Sequence, residues 1–209
     1  MAAPTTPILD QFNRADQNLD TGNWAGPFTG TVGPLKILSN EVASMSGTYG
    51  TDSYWIAESF GVDQEVYATC TVKPDPNEGS IFQGVWLPLR IIDPHPGLSI
   101  HSGYFLAMDS QVGTDDIYIY RFDSGAGTII EGVSLEYSAG DKFLFRAVGS
   151  LLTGYRNDGG GWAEIISTVD TTYVVGGWIG LHIEGSTGRW DDFGGGNYVP
   201  FVPQIYRRL

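Results

Sequence analysis

The chain has 209 residues, a net charge of −13 at pH 7, 13% aromatic residues, 29 glycines and a single cysteine. The negative charge argues against the phosphate backbone of a nucleic acid as partner, because that surface requires a basic footprint. A lone cysteine excludes an internal disulfide and a cysteine-based zinc site.

Residues 1–7 are small and rich in Pro and Thr, and read as an extended arm. They lack a basic stretch followed by an apolar run, so synthesis in a cytoplasm without a secretory signal is expected. No apolar run is long enough to span a bilayer. Residues 8–14 alternate as a first strand, and residues 16–33 form an Asn/Asp/Gly-rich loop carrying Trp24. Two short strands flank a tight turn at Ser39-Asn40-Glu41. Tyr54-Trp55-Ile56-Ala57 is strand-like. In the next strand Val66, Ala68, Cys70 and Val72 share one face, which predicts a buried, unreactive thiol. That strand ends at Lys73-Pro74-Asp75-Pro76-Asn77.

Residues 81–92 read as a strand broken at Pro88, followed by the Pro-rich loop that holds His95. Residues 103–108 and 116–122 read as neighbouring strands. In the second, Ile117 and Ile119 face one side while Tyr118, Tyr120 and Phe122 face the other. Further strands are expected over residues 129–137, 142–148, 151–156 and 162–169, with a hairpin loop at Asn157-Asp158-Gly159-Gly160-Gly161. A strand at residues 180–185 places His182 opposite Leu181 and Ile183. The closing strand follows at Arg189-Trp190-Asp191-Asp192-Phe193, with Gly194-Gly195-Gly196 as a hinge to a C-terminal arm. Turn signals recur about every ten residues, and no fixed-period repeat is present. The fold class predicted is all-β, an antiparallel two-sheet sandwich. The acidic–aromatic segments at the two ends look like the closing strands of a jelly roll, which implies that the first and last strands lie side by side. The predicted organisation is an N-terminal arm (1–7), one domain (8–196) and a C-terminal arm (197–209).

The motif order Asp10-Gln11-Phe12-Asn13-Arg14, Gly22-Asn23-Trp24, Gly103-Tyr104-Phe105-Leu106, Gly140-Asp141-Lys142-Phe143, Gly176-Gly177-Trp178 and Arg189-Trp190-Asp191-Asp192-Phe193 resembles the concanavalin A-like lectin/glucanase jelly rolls, in their LamG-like branch. The resemblance spans roughly residues 8–196. The Asp-x-Phe-Asn-Arg opening is most similar to versions of this domain in bacteriophage structural proteins and bacterial surface proteins. It implies a non-enzymatic virion component, a capsid decoration or tail-associated protein, exposed on the particle. The alternative it implies is a carbohydrate-binding module of a phage adhesin or bacterial surface protein.

Glucanases of this fold align their carboxylates along one strand face, and no such run is present. Asp115-Asp116 and Asp191-Asp192 are adjacent pairs whose members point to opposite faces of a strand. The expectation is therefore no catalytic set. Three other sites are candidates. Trp55, Trp86, Arg90, His101 and Tyr104 supply the aromatic faces and planar polar groups of a sugar site; Trp162 and Asp158 are also available. Asp10, Asp191 and Asp192 could converge on a calcium ion if the terminal strands pair, the competing role for Asp10 being an ion pair with Arg14. No other cofactor is expected. Phe201, Ile205, Tyr206, Arg207 and Arg208 make the C-terminal arm a docking segment toward other virion proteins or a second copy of the chain.

Overall fold

The computed structural model describes residues 3–27, 33–45, 50–78, 83–94 and 101–200. Among the described residues the regular elements are all strands: β1 (Ile8–Asp10), β2 (Gln17–Asn18), β3 (Trp24–Ala25), β4 (Lys36–Leu38), β5 (Glu41–Ala43), β6 (Thr51–Trp55), β7 (Gln64–Val72), β8 (Gly84–Ile92), β9 (Ser102–Asp109), β10 (Asp116–Asp123), β11 (Ala126–Ser134), β12 (Lys142–Val148), β13 (Leu151–Asn157), β14 (Trp162–Val169), β15 (Gly180–Glu184) and β16 (Arg189–Asn197). They form two antiparallel sheets. The nine-stranded sheet runs β14-β13-β12-β7-β16-β5-β4-β2, with β1 also on β16. The seven-stranded sheet runs β11-β10-β9-β8-β15-β6-β3.

Alternation along the strands decides which side chains enter the space between the sheets. Val66, Ala68 and Cys70 of β7 meet Val85, Leu87 and Leu89 of β8, with Leu106, Ile117, Ile119, Leu181 and Ile183 in the same core. Burial raises the Cys70 thiol to about 12, so it packs as a small apolar group. Val72 is exposed rather than buried, because it lies at the end of its strand. At one end of the core Trp24 packs edge-on to Trp55 at 5.5 Å and against Phe193 at 4.7 Å. This aromatic knot joins the two ends of the chain. β1 pairs with β16 through Ile8–Gly194 and Asp10–Phe193, so the first and last strands do lie together.

Turn chemistry behaves as the sequence suggests. Ser39 and Asn40 both take positive φ, 56° and 66°, which a two-residue hairpin requires. A second such turn, Ser124-Gly125, was hidden in a Gly/Ala/Ser stretch. It starts β11 at Ala126 rather than at residue 129. Pro88 does not break its strand: β8 is continuous and Pro88 sits opposite Phe105 of β9. On its other side, pairing with β15 ends at Trp86 and resumes only at the Ile91–Trp178 bridge, so the missing N–H is tolerated.

The glycine triplet is not a hinge. Gly194, Gly195 and Gly196 lie inside β16 and are buried. A Cβ on Gly195 would stand 2.5 Å from both the Glu65 carbonyl oxygen and Ile179, so the triplet serves close packing. The N-terminal arm is also docked. The buried Glu65 carboxylate accepts hydrogen bonds from the backbone N–H and hydroxyl groups of Thr5 and Thr6 at 2.6–3.0 Å. Its other oxygen takes two from Arg146, which also donates to Ala3 O.

Candidate functional site

The outer face of the seven-stranded sheet gathers aromatic and titratable side chains into cross-strand rows. One row runs Asp52–His182–Trp86–Ala107–Tyr118 across β6, β15, β8, β9 and β10. The next runs Glu184–Gly84–Asp109–Asp116. On the opposite side of the first row lie Pro88, Phe105 and Tyr120. Tyr54, Trp178 and Phe122 extend the apolar part. All of these project outward because their neighbours, Leu181 and Ile183 or Ile117 and Ile119, fill the core.

Trp86 is the centre of this surface. His182 stacks on it at 4.4 Å with 16° between planes, and Tyr120 stacks at 5.5 Å with 19°. The two come from strands on either side of β8. The Trp86 indole N–H donates to Asp109 Oδ1 at 2.7 Å. This bond passes over Gly84, where a Cβ would stand 2.5 Å from both atoms. Tyr118, Tyr120, Phe122, Trp178 and Glu184 are only half-buried and form the accessible part of the face.

The charges on the face follow their surroundings. Burial opposes a proton on His182, but Asp52 and Glu184 outweigh it and raise the imidazole to about 9. Glu184 Oε2 lies 2.9 Å from Nε2, and Asp52 Oδ2 is 3.7 Å from Nδ1, within ion-pair range but too long for a hydrogen bond. Burial raises Asp109 to about 7; the Trp86 N–H offsets this and the Glu184 charge adds to it. His101 goes the other way. Burial lowers it to about 4, and it packs at 4.9 Å from Phe122 and 5.5 Å from Phe105. At neutral pH this sheet face therefore carries one charged and one neutral histidine.

Of the residues expected for sugar binding, Trp86 and His101 are on this face. The others are not brought to it. Trp55 is in the inter-sheet core. Tyr104 is also in that core, donating to Asp170 Oδ1 at 2.7 Å and accepting from the Tyr173 N–H at 3.0 Å. Arg90 is fully buried at a bulge in β8, with its guanidinium spent on the carbonyl oxygens of Val62, Tyr173 and Gly149. Sequence reasoning missed Asp52, Asp109, Tyr118, Tyr120 and Glu184 as members of the face. The alternation of residues 117–122 was the signal for the tyrosines. Nothing local marks the acids, because they meet His182 and Trp86 only across strands.

Asp10 is not free to hold a calcium ion. Both Asp10 oxygens are bonded to Arg14, at 2.7 and 2.9 Å, and Asp10 also accepts from the Phe12 N–H and the Trp24 indole. That is the ion-pair role. Asp10, Arg14, Asn23 and Trp24 line a cleft of about 310 Å³ at this end of the sandwich. Among the described residues no group of three or more His, Cys, Asp or Glu is arranged to hold a metal ion. Phe201, Ile205, Tyr206, Arg207 and Arg208, and also His95, lie outside the described residues.

No protein-family model matches the chain, and no curated protein sequence matches it. Solved structures do. A carbohydrate-binding module, CBM66 of Bacillus subtilis, superposes with a TM-score of 0.59 at 16% identity, covering 87% of this chain and 95% of that one. The exoplasmic/lumenal domain of VIP36, in a form bound to Ca2+ and Man2, gives 0.65 at 13% identity over 95% and 90%. The CBM2 module of the evolved Dit protein of Lactobacillus casei BL23 phage J-1 gives 0.58 at 11% identity over 92% and 95%. At these identities the likeness establishes the fold, a concanavalin A-like, lectin-like jelly roll.

Proposed function

We propose that the protein is a carbohydrate-binding domain that works without turnover and reads glycans on the outer face of its seven-stranded sheet. The observation that carries this reading is the half-buried aromatic surface of Tyr118, Tyr120, Phe122 and Trp178, connected through the Trp86 ring, on which Tyr120 and His182 both stack, to the Asp52–His182–Glu184 charge cluster. Sugar rings present apolar C–H faces to aromatic rings and hydroxyls to carboxylates, and this face offers both within two strand rows. The His182–Glu184 contact holds one carboxylate in place for that purpose. The solved neighbours described as a carbohydrate-binding module and as a Ca2+/Man2-bound form support the same reading.

The wider role we propose is attachment by a bacteriophage adhesin, supported by the neighbour from a phage Dit protein. A glycan array probed with the purified chain tests the binding. Selective binding that falls about tenfold or more in Tyr118→Ala and Tyr120→Ala is expected. No binding to bacterial-surface or other glycans, or binding indifferent to both substitutions, would overturn the reading. Hydrolysis of the bound glycan, lost on changing Asp109 or Glu184, would overturn the non-enzymatic part.

A further inference from the structure

We infer a second saccharide site on the opposite side of the molecule, on the outer face of the nine-stranded sheet. Four strands place one residue each in a single register row there: Trp162 of β14, Asn157 of β13, Lys142 of β12 and Thr69 of β7. Their outward direction follows from Phe143 and Ala68, the neighbours of Lys142 and Thr69, which are in the core. With strands about 4.8 Å apart the row spans about 14 Å, a groove rather than a point. A cavity of about 230 Å³ lies along it, lined also by Tyr67, Asp192, Pro4 and Ile8.

The chemistry in this groove is unspent. Lys142 and Asp192 each line it without a side-chain hydrogen bond or ion pair among the described residues, and the Trp162 indole N–H has no acceptor there. Asn157 uses Oδ1 to hold the Gly159 and Gly161 N–H groups of its hairpin loop, which leaves its amide nitrogen as a donor. Asp192 sits at a bulge in β16 with a positive φ of 51°, a strained conformation for a residue other than glycine. The opposite wall is held rigid: Tyr67 donates to Thr6 O at 3.0 Å, and Thr6 in turn is bound to Glu65. One unpaired cation and one unpaired anion beside an aromatic platform suit a neutral saccharide, whose hydroxyls both donate and accept. A uronic acid would meet Asp192, and an amino sugar would meet Lys142.

This site does not rest on the other face. The test is calorimetric titration of the full chain with neutral gluco-, manno- and galacto-oligosaccharides, alongside a uronic-acid oligosaccharide. Four proteins are compared: wild type, Trp162→Ala, Lys142→Met, and Tyr118→Ala/Tyr120→Ala. Lys142 is exposed and Trp162 is half-buried, and a thermal melt of each variant checks that it folds. Expected is binding of a neutral oligosaccharide that persists in the double-tyrosine variant and weakens about tenfold or more in Trp162→Ala and in Lys142→Met. The inference is overturned if no probe binds, if Trp162→Ala and Lys142→Met bind as wild type, or if the uronic acid is preferred. Binding abolished by the tyrosine changes alone would place the saccharide site on the seven-stranded sheet and end the two-site reading.

Discussion

His182 and Asp109 show how single residues make this face sensitive to pH. His182 is raised from 6.5 to about 9, so its ion pairs stabilise the fold fully below about pH 6.5 and are lost as pH rises through 9. Asp109 is raised from 3.8 to about 7, so the folded state holds a proton that the unfolded chain has released, and stability falls as pH rises across that interval. Both effects have the same sign. The unfolding free energy from denaturant titration should drop between pH 5 and pH 9, by on the order of a few kcal/mol, since one pKa unit corresponds to about 1.4 kcal/mol. Asp109→Asn keeps an acceptor for Trp86 and should flatten the acidic part of that slope, leaving the part due to His182. An unchanged slope would show that Asp109 is ionised in the fold across the whole range. Arg90 is a structural residue by the same kind of reasoning. Arg90→Ala strands the Val62, Tyr173 and Gly149 carbonyl oxygens and should cost more than about 3 kcal/mol in urea unfolding, well above the effect of a surface change.

The elements at the ends of the chain are part of the sandwich as far as they are described. Thr5 and Thr6 supply donors to a carboxylate that has no access to water, so removing residues 1–6 leaves Glu65 with Arg146 alone. Truncation before Pro7 should lower stability by about 2–4 kcal/mol, measured by urea titration. Glu65→Gln should give a comparable loss in the full chain. At the other end Tyr198 donates its N–H to Asp63 O at 2.9 Å, and its ring lies 4.2 Å from the Arg146 guanidinium. Ending the chain after Asn197 should therefore destabilise measurably, by about 1–2 kcal/mol, while ending it after Pro200 should not. Equal melting temperatures for the two truncations would mean that the Tyr198 contact contributes nothing.

At the scale of the whole molecule the topology is non-local. β16 joins β7, β5 and β1, so the centre of the nine-stranded sheet needs the last strand of the chain before it can close. Folding should be slow for that reason, milliseconds to seconds or longer in stopped-flow fluorescence of Trp24, Trp55 and Trp190. Microsecond folding would contradict the register described. The two outer faces point away from each other, so the proposed sites would present saccharide-binding surfaces on both sides of one rigid domain. A bivalent arrangement of this kind multiplies avidity for a polymeric glycan without any new contact.

Period-two alternation was enough to find most strands and to set their faces, because each strand buries one side. It placed His182 opposite Leu181, Tyr118 opposite Ile119 and Cys70 in the core. The Asp-x-Phe-Asn-Arg opening and the Arg-Trp-Asp-Asp-Phe close marked the paired ends. Which strands become neighbours could not be read in the same way, since pairing joins residues far apart in the chain. Asp52 meets His182 across a ladder between β6 and β15, and Trp162 reaches the row of Lys142 through β13. The role of a polar side chain depends on those neighbours. Arg90 was drawn inward by a bulge and three carbonyl oxygens, Tyr104 by Asp170, and the glycine triplet by the close approach of Glu65 and Tyr67. Sequence alone determined the all-β class, the strand faces and the joining of the ends. The tertiary structure decided which outward-facing residues stand together, because that depends on strand order across a sheet, which the local alternation does not encode.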